Sequence, residues 1–230
     1  MEAEGESGAK TVLVLRTCRA DFSSYGGFVW PASGPVEAPD WSPVPECGNG
    51  LHGWLWGEGD GSHEVKEPGA KWLVVEVAEE SIVDLGGKVK FPRGVVVFSG
   101  SCEEATLYVA EHGGHGRAII RGTATAGDGG TATAGGRGTA TAGDGGTATA
   151  GYCGIATAGY CGIATAGYGG TATAGDGGTA TAGDGGVLVL VSWDGERKRL
   201  IVAYVGEDGI EPNVAYRLGP GGKPVKATNG

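Results

Sequence analysis

Five residues of types used in catalysis and metal binding lie in one short stretch: Cys47, His52, Glu58, Asp60 and His63. A cysteine beside a histidine can form a nucleophile, because the imidazole removes the thiol proton. Cys47, His52 and His63 could also supply zinc ligands. Neither pattern is specific, and the Gly-Asn-Gly after Cys47 is typical of a tight turn. We therefore favour a buried cysteine and a loop-stabilising histidine, and expect no enzymatic activity, metal or cofactor.

The composition narrows the classes of partner and compartment. The net charge of −10 disfavours nucleic acids and anionic membranes, since both attract basic surfaces. Five cysteines form an odd set without a CxxC pair, which is a poor disulfide framework and indicates a reducing compartment. No secretory segment follows Met1 and no apolar run could span a bilayer. We expect a cytoplasmic protein of bacterial or phage origin.

An octad repeat dominates the second half of the chain. Residues 122–185 are eight consecutive octads of the type GTATAGDG, without insertion. One octad cannot bury a face alone, so the units must stack. Two octads make the smallest plausible coil, which predicts a mainly β protein with a short parallel β-solenoid of four 16-residue coils. Odd octads would form one sheet, and even octads the opposite one.

The alternation within each TATA strand predicts one threonine face and one alanine face. Alanine inside gives a thin, tightly packed interior, whereas buried threonine hydroxyls need partners and cost about 1–3 kcal/mol each without them. We favour outward threonines. Ile155 and Ile163 replace threonine at the second octad position, which would also suit an apolar interior, so the opposite arrangement stays open.

The corners carry the other distinctive side chains. The seventh octad position holds tyrosine at Tyr152, Tyr160 and Tyr168 and aspartate in four of the other octads. The two-octad coil predicts that Tyr152 and Tyr168 stack on one edge while Tyr160 lies on the other. We favour tyrosines that shield the corner backbone over tyrosines that bind a ligand. Calcium binding at the aspartate corners is the less favoured interpretation, because aspartate is missing from the central coils.

The segment AGYGGTATAG, residues 166–175, resembles the repeat unit of bacterial ice nucleation proteins. The resemblance covers the octads and implies a β-solenoid whose outward threonine pairs order water, namely Thr139 with Thr141 and Thr171 with Thr173. Those proteins carry dozens of coils and alternate two distinct octads, whereas four coils of nearly one octad are predicted here. The segments APDW, ECGNGLHG, WGEGDG and KFPRG, between residues 38 and 94, are similar to an uncharacterised bacterial and phage domain without known activity.

The flanking segments are predicted to cap the solenoid. Residues 1–115 predict an α+β N-terminal capping domain, with strands at 11–18, 71–80 and 88–100, a loop at 28–63, and a helix that begins with a capping box at Ser101 and Glu104. Residues 116–186 form the predicted solenoid, in which 116–122 is a degenerate first strand. Residues 187–230 predict a C-terminal hairpin cap with a type I′ turn at Asp194-Gly195 and a tail.

Three functional hypotheses follow. The favoured one is a non-enzymatic structural or binding module that presents a regular Thr/Ala surface and spaces its caps. The alternative is an ice- or water-ordering surface, with the two threonine pairs and the Tyr152–Tyr168 pair as candidate contact residues. The third is a ligand-binding or enzymatic N-terminal domain, for which a pocket converging on Cys47, His52 and His63 would be the sign. Self-association and ordered water or ice are the candidate partners.

Overall fold

The computed structural model describes residues 10–59, 61 and 63–227. The chain forms two compact units, the first ending at Gly113 and the second beginning at Gly114. Within the described residues, no helix is long and apolar enough to cross a membrane.

The first unit is an antiparallel sheet with one helix. Its strands are β1 Thr11–Cys18, β2 Gly34–Glu37, β3 Leu51–Leu55, β4 Lys71–Ala78, β5 Val83–Asp84, β6 Val89–Phe91 and β7 Arg93–Gly100. They are ordered β2-β7-β4-β1-β3-β6-β5. The central strands β1 and β4 each contain four consecutive buried residues, so both faces of the sheet are covered there.

Two elements of this sheet differ from the sequence prediction. The predicted strand at 88–100 is two strands, because Pro92 separates β6 from β7 and they lie at different places in the sheet. The predicted loop at 28–63 contains β2 and β3. Strand β3 fits beside β1 because Gly53 has no side chain: a Cβ there would lie 2.6 Å from the Leu15 carbonyl oxygen.

The single helix confirms the predicted capping box. Helix α1 spans Cys102–Val109. The Ser101 side chain accepts the Glu104 N–H and the Glu104 carboxylate accepts the Ser101 N–H, as a capping box requires. Hydrogen bonds from Ser101 hold the pKa of the Glu104 carboxyl below its usual value. Ala105 and Val109 are buried, and a π turn with Gly113 at φ +112° ends the segment.

The second unit is a solenoid of eight four-residue strands, β8 to β15, in parallel and in-register ladders. They are β8 Thr123–Ala126, β9 Thr131–Ala134, β10 Thr139–Ala142, β11 Thr147–Ala150, β12 Ile155–Ala158, β13 Ile163–Ala166, β14 Thr171–Ala174 and β15 Thr179–Ala182. Even-numbered strands form one sheet, called here the first sheet, and odd-numbered strands form the second sheet. Thr139 pairs with Thr123 and Ile155, sixteen residues away on either side. The four-coil solenoid is therefore confirmed.

Alanine fills the interior, as the favoured arrangement predicts. The fourteen alanines of β9 to β15 are between 0% and 4% exposed, while the threonines of the same strands are exposed or half-buried. The two sheets thus meet through methyl groups alone. A core this thin leaves no room for larger side chains, so the threonine hydroxyls remain at the surface, where water satisfies them.

Glycine has two separate tasks at the corners. Positive φ occurs only at the eighth octad position, for example Gly145 at +66°, and there Arg137, Cys153 and Cys161 also adopt it. At the first and sixth positions glycine is needed for close approach instead: a Cβ on Gly167 would lie 2.8 Å from the Gly151 carbonyl carbon. Positive φ is thus confined to one of the three glycine positions of the octad.

Both ends of the repeat differ from regular octads. Ile119, inside the predicted degenerate strand, instead closes a corner: its carbonyl accepts from the N–H groups of Gly122 and Gly135. At the other end β16 (Val187–Trp193) adds parallel to β14, and β17 (Lys198–Tyr204) pairs antiparallel with β16. Strands β18 (Tyr216–Leu218) and β19 (Pro224–Lys226) extend the second sheet.

The C-terminal strands close the alanine core with larger side chains. Leu188 and Leu190 continue the alanine rows and are 0% and 1% exposed, and Tyr216 covers the end of the second sheet. The predicted hairpin cap is confirmed, but its turn is not type I′. Only Gly195 has positive φ there, whereas type I′ requires it at both central residues.

The two tasks of glycine predict different costs of adding a methyl group. We expect Gly167→Ala to destabilise the solenoid by about 3 kcal/mol, because the new Cβ meets rigid backbone of the adjacent coil. Gly145→Ala should cost about 1 kcal/mol, since only positive φ opposes it and nothing lies within 4 Å. Thermal and urea unfolding followed by circular dichroism compares the two variants. An equal or larger loss for Gly145→Ala would contradict this division.

Candidate functional site

The Cys47–His52 segment is a braced loop in the first unit. The Gly48 N–H donates to His52 Nε2 over 3.4 Å, and Lys88 Nζ donates to Cys47 Sγ over 3.1 Å. Burial, followed by the positive charges of Lys88 and Arg16, lowers the pKa of His52 to about 4. His52 is thus neutral near pH 7 and accepts a hydrogen bond from the adjoining loop, which is the loop-stabilising role favoured from the sequence. The expectation of a buried cysteine is wrong, because Cys47 is exposed.

Among the described residues, no set of metal ligands is assembled around this loop. Asp60 lies outside the described residues, and within the described part of the chain no group of three His, Cys, Asp or Glu side chains could hold a metal ion. An open depression of about 630 Å³ in the same unit is lined by Thr11, Pro35, Glu76 and Arg93 among others, and by none of Cys47, His52 or His63. This depression is therefore not the pocket at Cys47, His52 and His63 that the third hypothesis requires.

Aspartates at the corners stabilise the stacking of coils. Asp128 Oδ1 accepts the Asp144 N–H over 3.0 Å, and Asp144 Oδ1 accepts the Tyr160 N–H over 2.8 Å. Each carboxylate therefore receives a donor of the next coil, sixteen residues further along the chain. These bonds give Asp128 and Asp144 a structural role that requires no ion.

The threonine faces are the most regular surface of the molecule. On the first sheet, Thr139 and Thr141 lie on β10, and Thr171 and Thr173 lie on β14, with β12 between them. Residues two apart on a strand are about 6.6 Å apart, and neighbouring strands about 4.8 Å. The second sheet carries an equivalent face with Thr147, Thr149, Thr179 and Thr181.

Equivalent outward residues of successive strands form a column on each face, and isoleucine interrupts one column of each face. Ile155 and Ile163 are 48% and 47% exposed and occupy positions equivalent to threonine in the neighbouring strands. Their side chains keep the branched methyl group that threonine presents but lack its hydroxyl. Each face is consequently an uncharged array of methyls and hydroxyls with one hydroxyl missing in the third coil.

Tyr152 and Tyr168 stack along one edge, as predicted. The rings of Tyr152 and Tyr168 are 5.7 Å apart and nearly parallel, with an interplanar angle of 4°. The Arg137 guanidinium lies over Tyr152, 5.7 Å from the ring centroid. Tyr160 lies on the opposite edge, where its carbonyl accepts the Gly145 N–H. Ligand binding by Tyr152 and Tyr168 stays a prediction.

The array extends beyond the residues that the sequence singles out. On the first sheet Val187 and Val189 continue the two threonine columns, and Val202 and Tyr204 of β17 continue them further. The repeat pattern ends at residue 185, so only the pairing of β16 with β14 shows that the outward face goes on. What this surface offers chemically is a fixed, uncharged lattice of small groups, suited to holding ordered water at hydroxyls between methyls.

Comparisons with known proteins find one family model and several relatives. Residues 12–107 match a family model described as a domain of unknown function, DUF7666. An ice nucleation protein of Xanthomonas campestris pv. translucens is 42% identical over 101 residues, which is 43% of this chain and 6% of that protein. Ice nucleation protein InaU of Pantoea ananas is 41% identical over 103 residues, which is 44% of this chain and 10% of that protein.

A third relative, an ice nucleation protein of Pseudomonas syringae, is 41% identical over 100 residues, or 43% of this chain and 9% of that protein. The match thus spans a tenth or less of the length of these relatives. No solved structure gives a significant match. The chain is similar to ice nucleation proteins, as its octads indicate, and its first unit resembles a domain without assigned activity.

The half-buried, neutral His52 predicts a pH-dependent stability of the first unit. Its folded pKa of about 4 lies below its ordinary value of 6.5, so between these values the unfolded chain binds more protons. The free energy of unfolding should therefore fall as the pH is lowered from 6.5 towards 4. His52→Gln keeps an acceptor for Gly48 and should show a weaker fall, measured by urea unfolding across this range. His115→Gln, at an exposed position, controls for the substitution, and equal slopes for wild type and His52→Gln would refute the assignment.

The hydrogen bonds that Asp128 and Asp144 accept predict that aspartates at similar corners contribute unequally to stability. Asp144→Ala should cost about 1 kcal/mol, because it leaves the Tyr160 N–H without its acceptor. Asp176→Ala is the matched control, since within the described residues Asp176 accepts no such bond from a following coil. Thermal unfolding of the two variants, with and without a calcium chelator, tests this. Strong stabilisation of the wild type by added Ca²⁺ would instead support an ion at these corners.

Proposed function

We propose that this chain binds ice, or orders water at its surface, through the outward threonine pairs of the two solenoid faces. The observation that carries the proposal is the in-register array of threonines on parallel ladders. The similarity to proteins named for ice nucleation supports it and favours it over a scaffold that only spaces its caps.

The physical basis is preorganisation of hydroxyl and methyl groups. Threonines of one column repeat at about 4.8 Å and those of one strand at about 6.6 Å, and the closely packed alanine core holds their Cβ atoms in place. Binding water to such an array costs little side-chain entropy in the protein, because the side chains are already fixed. Threonine χ1 is restricted by branching at Cβ. No charged side chain lies in β8 to β15, so bound water is not reorganised around ions.

The small area limits what the surface does. Each face offers four coils, and one column is interrupted at Ile155 or Ile163. A patch of this size can adsorb to an existing ice crystal more readily than it can nucleate one, because a critical nucleus requires a larger template. The proposed activity is accordingly weak thermal hysteresis and ice shaping by the single chain, with negligible nucleation.

Bulky substitutions on the faces test this directly. Thr139→Tyr with Thr171→Tyr disrupts the first sheet's face, and Thr147→Tyr with Thr179→Tyr disrupts the second. We expect each pair to reduce thermal hysteresis and the four together to abolish it, since tyrosine displaces water from the array. Asp176→Tyr places the same bulk on a corner and serves as the control. The measurement is freezing hysteresis with crystal morphology, after circular dichroism confirms folding.

Completing the columns supplies the converse test. Ile155→Thr with Ile163→Thr restores a hydroxyl in the third coil of both faces and should increase hysteresis. Wild-type protein without hysteresis or ice shaping at millimolar concentration would refute ice binding, and the structural-module interpretation would then be preferred.

A further inference from the structure

The outer edge of β17 is an unpaired and apolar strand edge. Within the part of the chain that the structure describes, β17 is the terminal strand of the first sheet and pairs only with β16. Its outward side chains Leu200, Val202 and Tyr204 are 67%, 48% and 53% exposed. The alternate residues Ile201 and Ala203 pack against the solenoid core. A whole strand therefore offers one apolar face and one free backbone edge.

The hydrogen-bonding phase of β17 shows which groups are available. Val205 N–H donates to the Gly186 carbonyl, so odd-numbered residues of β17 face β16 and even-numbered residues direct their N–H and C=O groups to the outer edge. Among the described residues, no backbone hydrogen bond reaches Leu200 or Val202 from that side, and at Tyr204 only the carbonyl accepts one, from the Glu207 N–H of the turn that follows. These are the same residues whose side chains are exposed.

Devices that normally protect an edge strand are lacking here. Proteins block such edges with proline, a bulge, a charge within the strand or a covering segment. Strand β17 is seven residues long, contains no proline, and carries charge only at its first two residues, Lys198 and Arg199. By contrast β19, the terminal strand of the second sheet, begins with Pro224 and ends with Lys226.

We propose that β17 pairs antiparallel with β17 of a second copy of this chain, about a two-fold axis at Ile201. This register uses all seven residues of each strand. Leu200 then faces the partner's Val202, and Lys198 faces the partner's Tyr204. It also places even-numbered residues opposite even-numbered residues, so their free N–H and C=O groups form the hydrogen-bonded pairs.

Charge favours the antiparallel arrangement over a parallel one. The strand begins with basic Lys198 and Arg199, of which Arg199 already pairs with Asp194 of its own hairpin turn, and the turn that follows the strand carries acidic Glu207 and Asp208. Antiparallel pairing brings the basic end of each copy to the acidic end of the other. Parallel pairing would align like charges, which repel.

The pairing joins two first sheets into one sheet of twelve strands, since each contributes six. A two-fold axis perpendicular to the sheet keeps outward faces on the same side, so both copies present their threonine columns in one direction. The association itself does not depend on ice binding, and its test uses a different measurement.

Sedimentation equilibrium of the full chain tests the proposal. We expect a reversible dimer in the micromolar range, because a single strand edge is smaller than a standard interface. Val202→Lys should weaken dimerisation at least about tenfold by placing two charges in the apolar pairing. Leu107→Lys, which alters a residue of α1 that is 55% exposed, is the matched control and should dimerise like the wild type.

A charge-complementation series tests the register. Leu200→Lys and Val202→Glu should each weaken the dimer, and the double variant should restore it, because the introduced lysine of each copy then faces the introduced glutamate of the other. A wild type that is monomeric at all concentrations, or a dimer unaffected by Val202→Lys, would overturn the proposal, as would the absence of rescue. Capture of a different protein by this edge, without self-association, would also overturn it. Hysteresis of monomeric Leu200→Lys is expected to persist, because Leu200 pairs with Val191, outside the threonine columns, so failure of dimerisation and failure of ice binding remain distinguishable.

Discussion

Close contact between two alanine-lined sheets is the constraint on which the solenoid depends. Each coil contributes only methyl groups to the interior, so the sheets are close and the corners must reverse the chain within four residues. Glycine at the first and sixth octad positions follows from that, because a Cβ would meet the backbone of the adjacent coil or turn. Interior thinness also sets the surface: with no space inside for hydroxyls, threonine can only face water.

Corner chemistry varies because several different groups can stabilise the same backbone. Aspartate accepts an N–H of the next coil at Asp128 and Asp144, whereas Tyr152 and Tyr168 stack by their rings on the other edge. Both arrangements repeat with the sixteen-residue coil. The side chains on the faces thus repeat from coil to coil, whereas those on the edges differ. A surface activity that needs a regular array is therefore assigned to the faces.

The similarity to ice nucleation proteins and the geometry of the threonine faces both support the proposed ice binding, whereas the first unit has no part in that proposal. In that unit, the residues with the most catalytic potential brace a loop: His52 accepts from Gly48, and Lys88 binds Cys47. Residue types alone suggested chemistry there, but burial and neighbouring positive charges leave His52 neutral. The surface that carries the proposed function contains no reactive group at all.

The octad sequence by itself determined the coil length, the two sheets and the separate edges of Tyr152 and Tyr160, since strict periodicity allows only one stacking. It also identified the capping box at Ser101, because that motif is local. Tertiary structure decided what depends on partners distant in sequence. Strand β3 exists because β1 and β6 flank it, and Pro92 divides one apolar run between two places in a sheet. The inward direction of alanine, which Ile155 left open, was settled by how closely two sheets pack, and the exposed edge of β17 by the absence of any strand beyond it among the described residues.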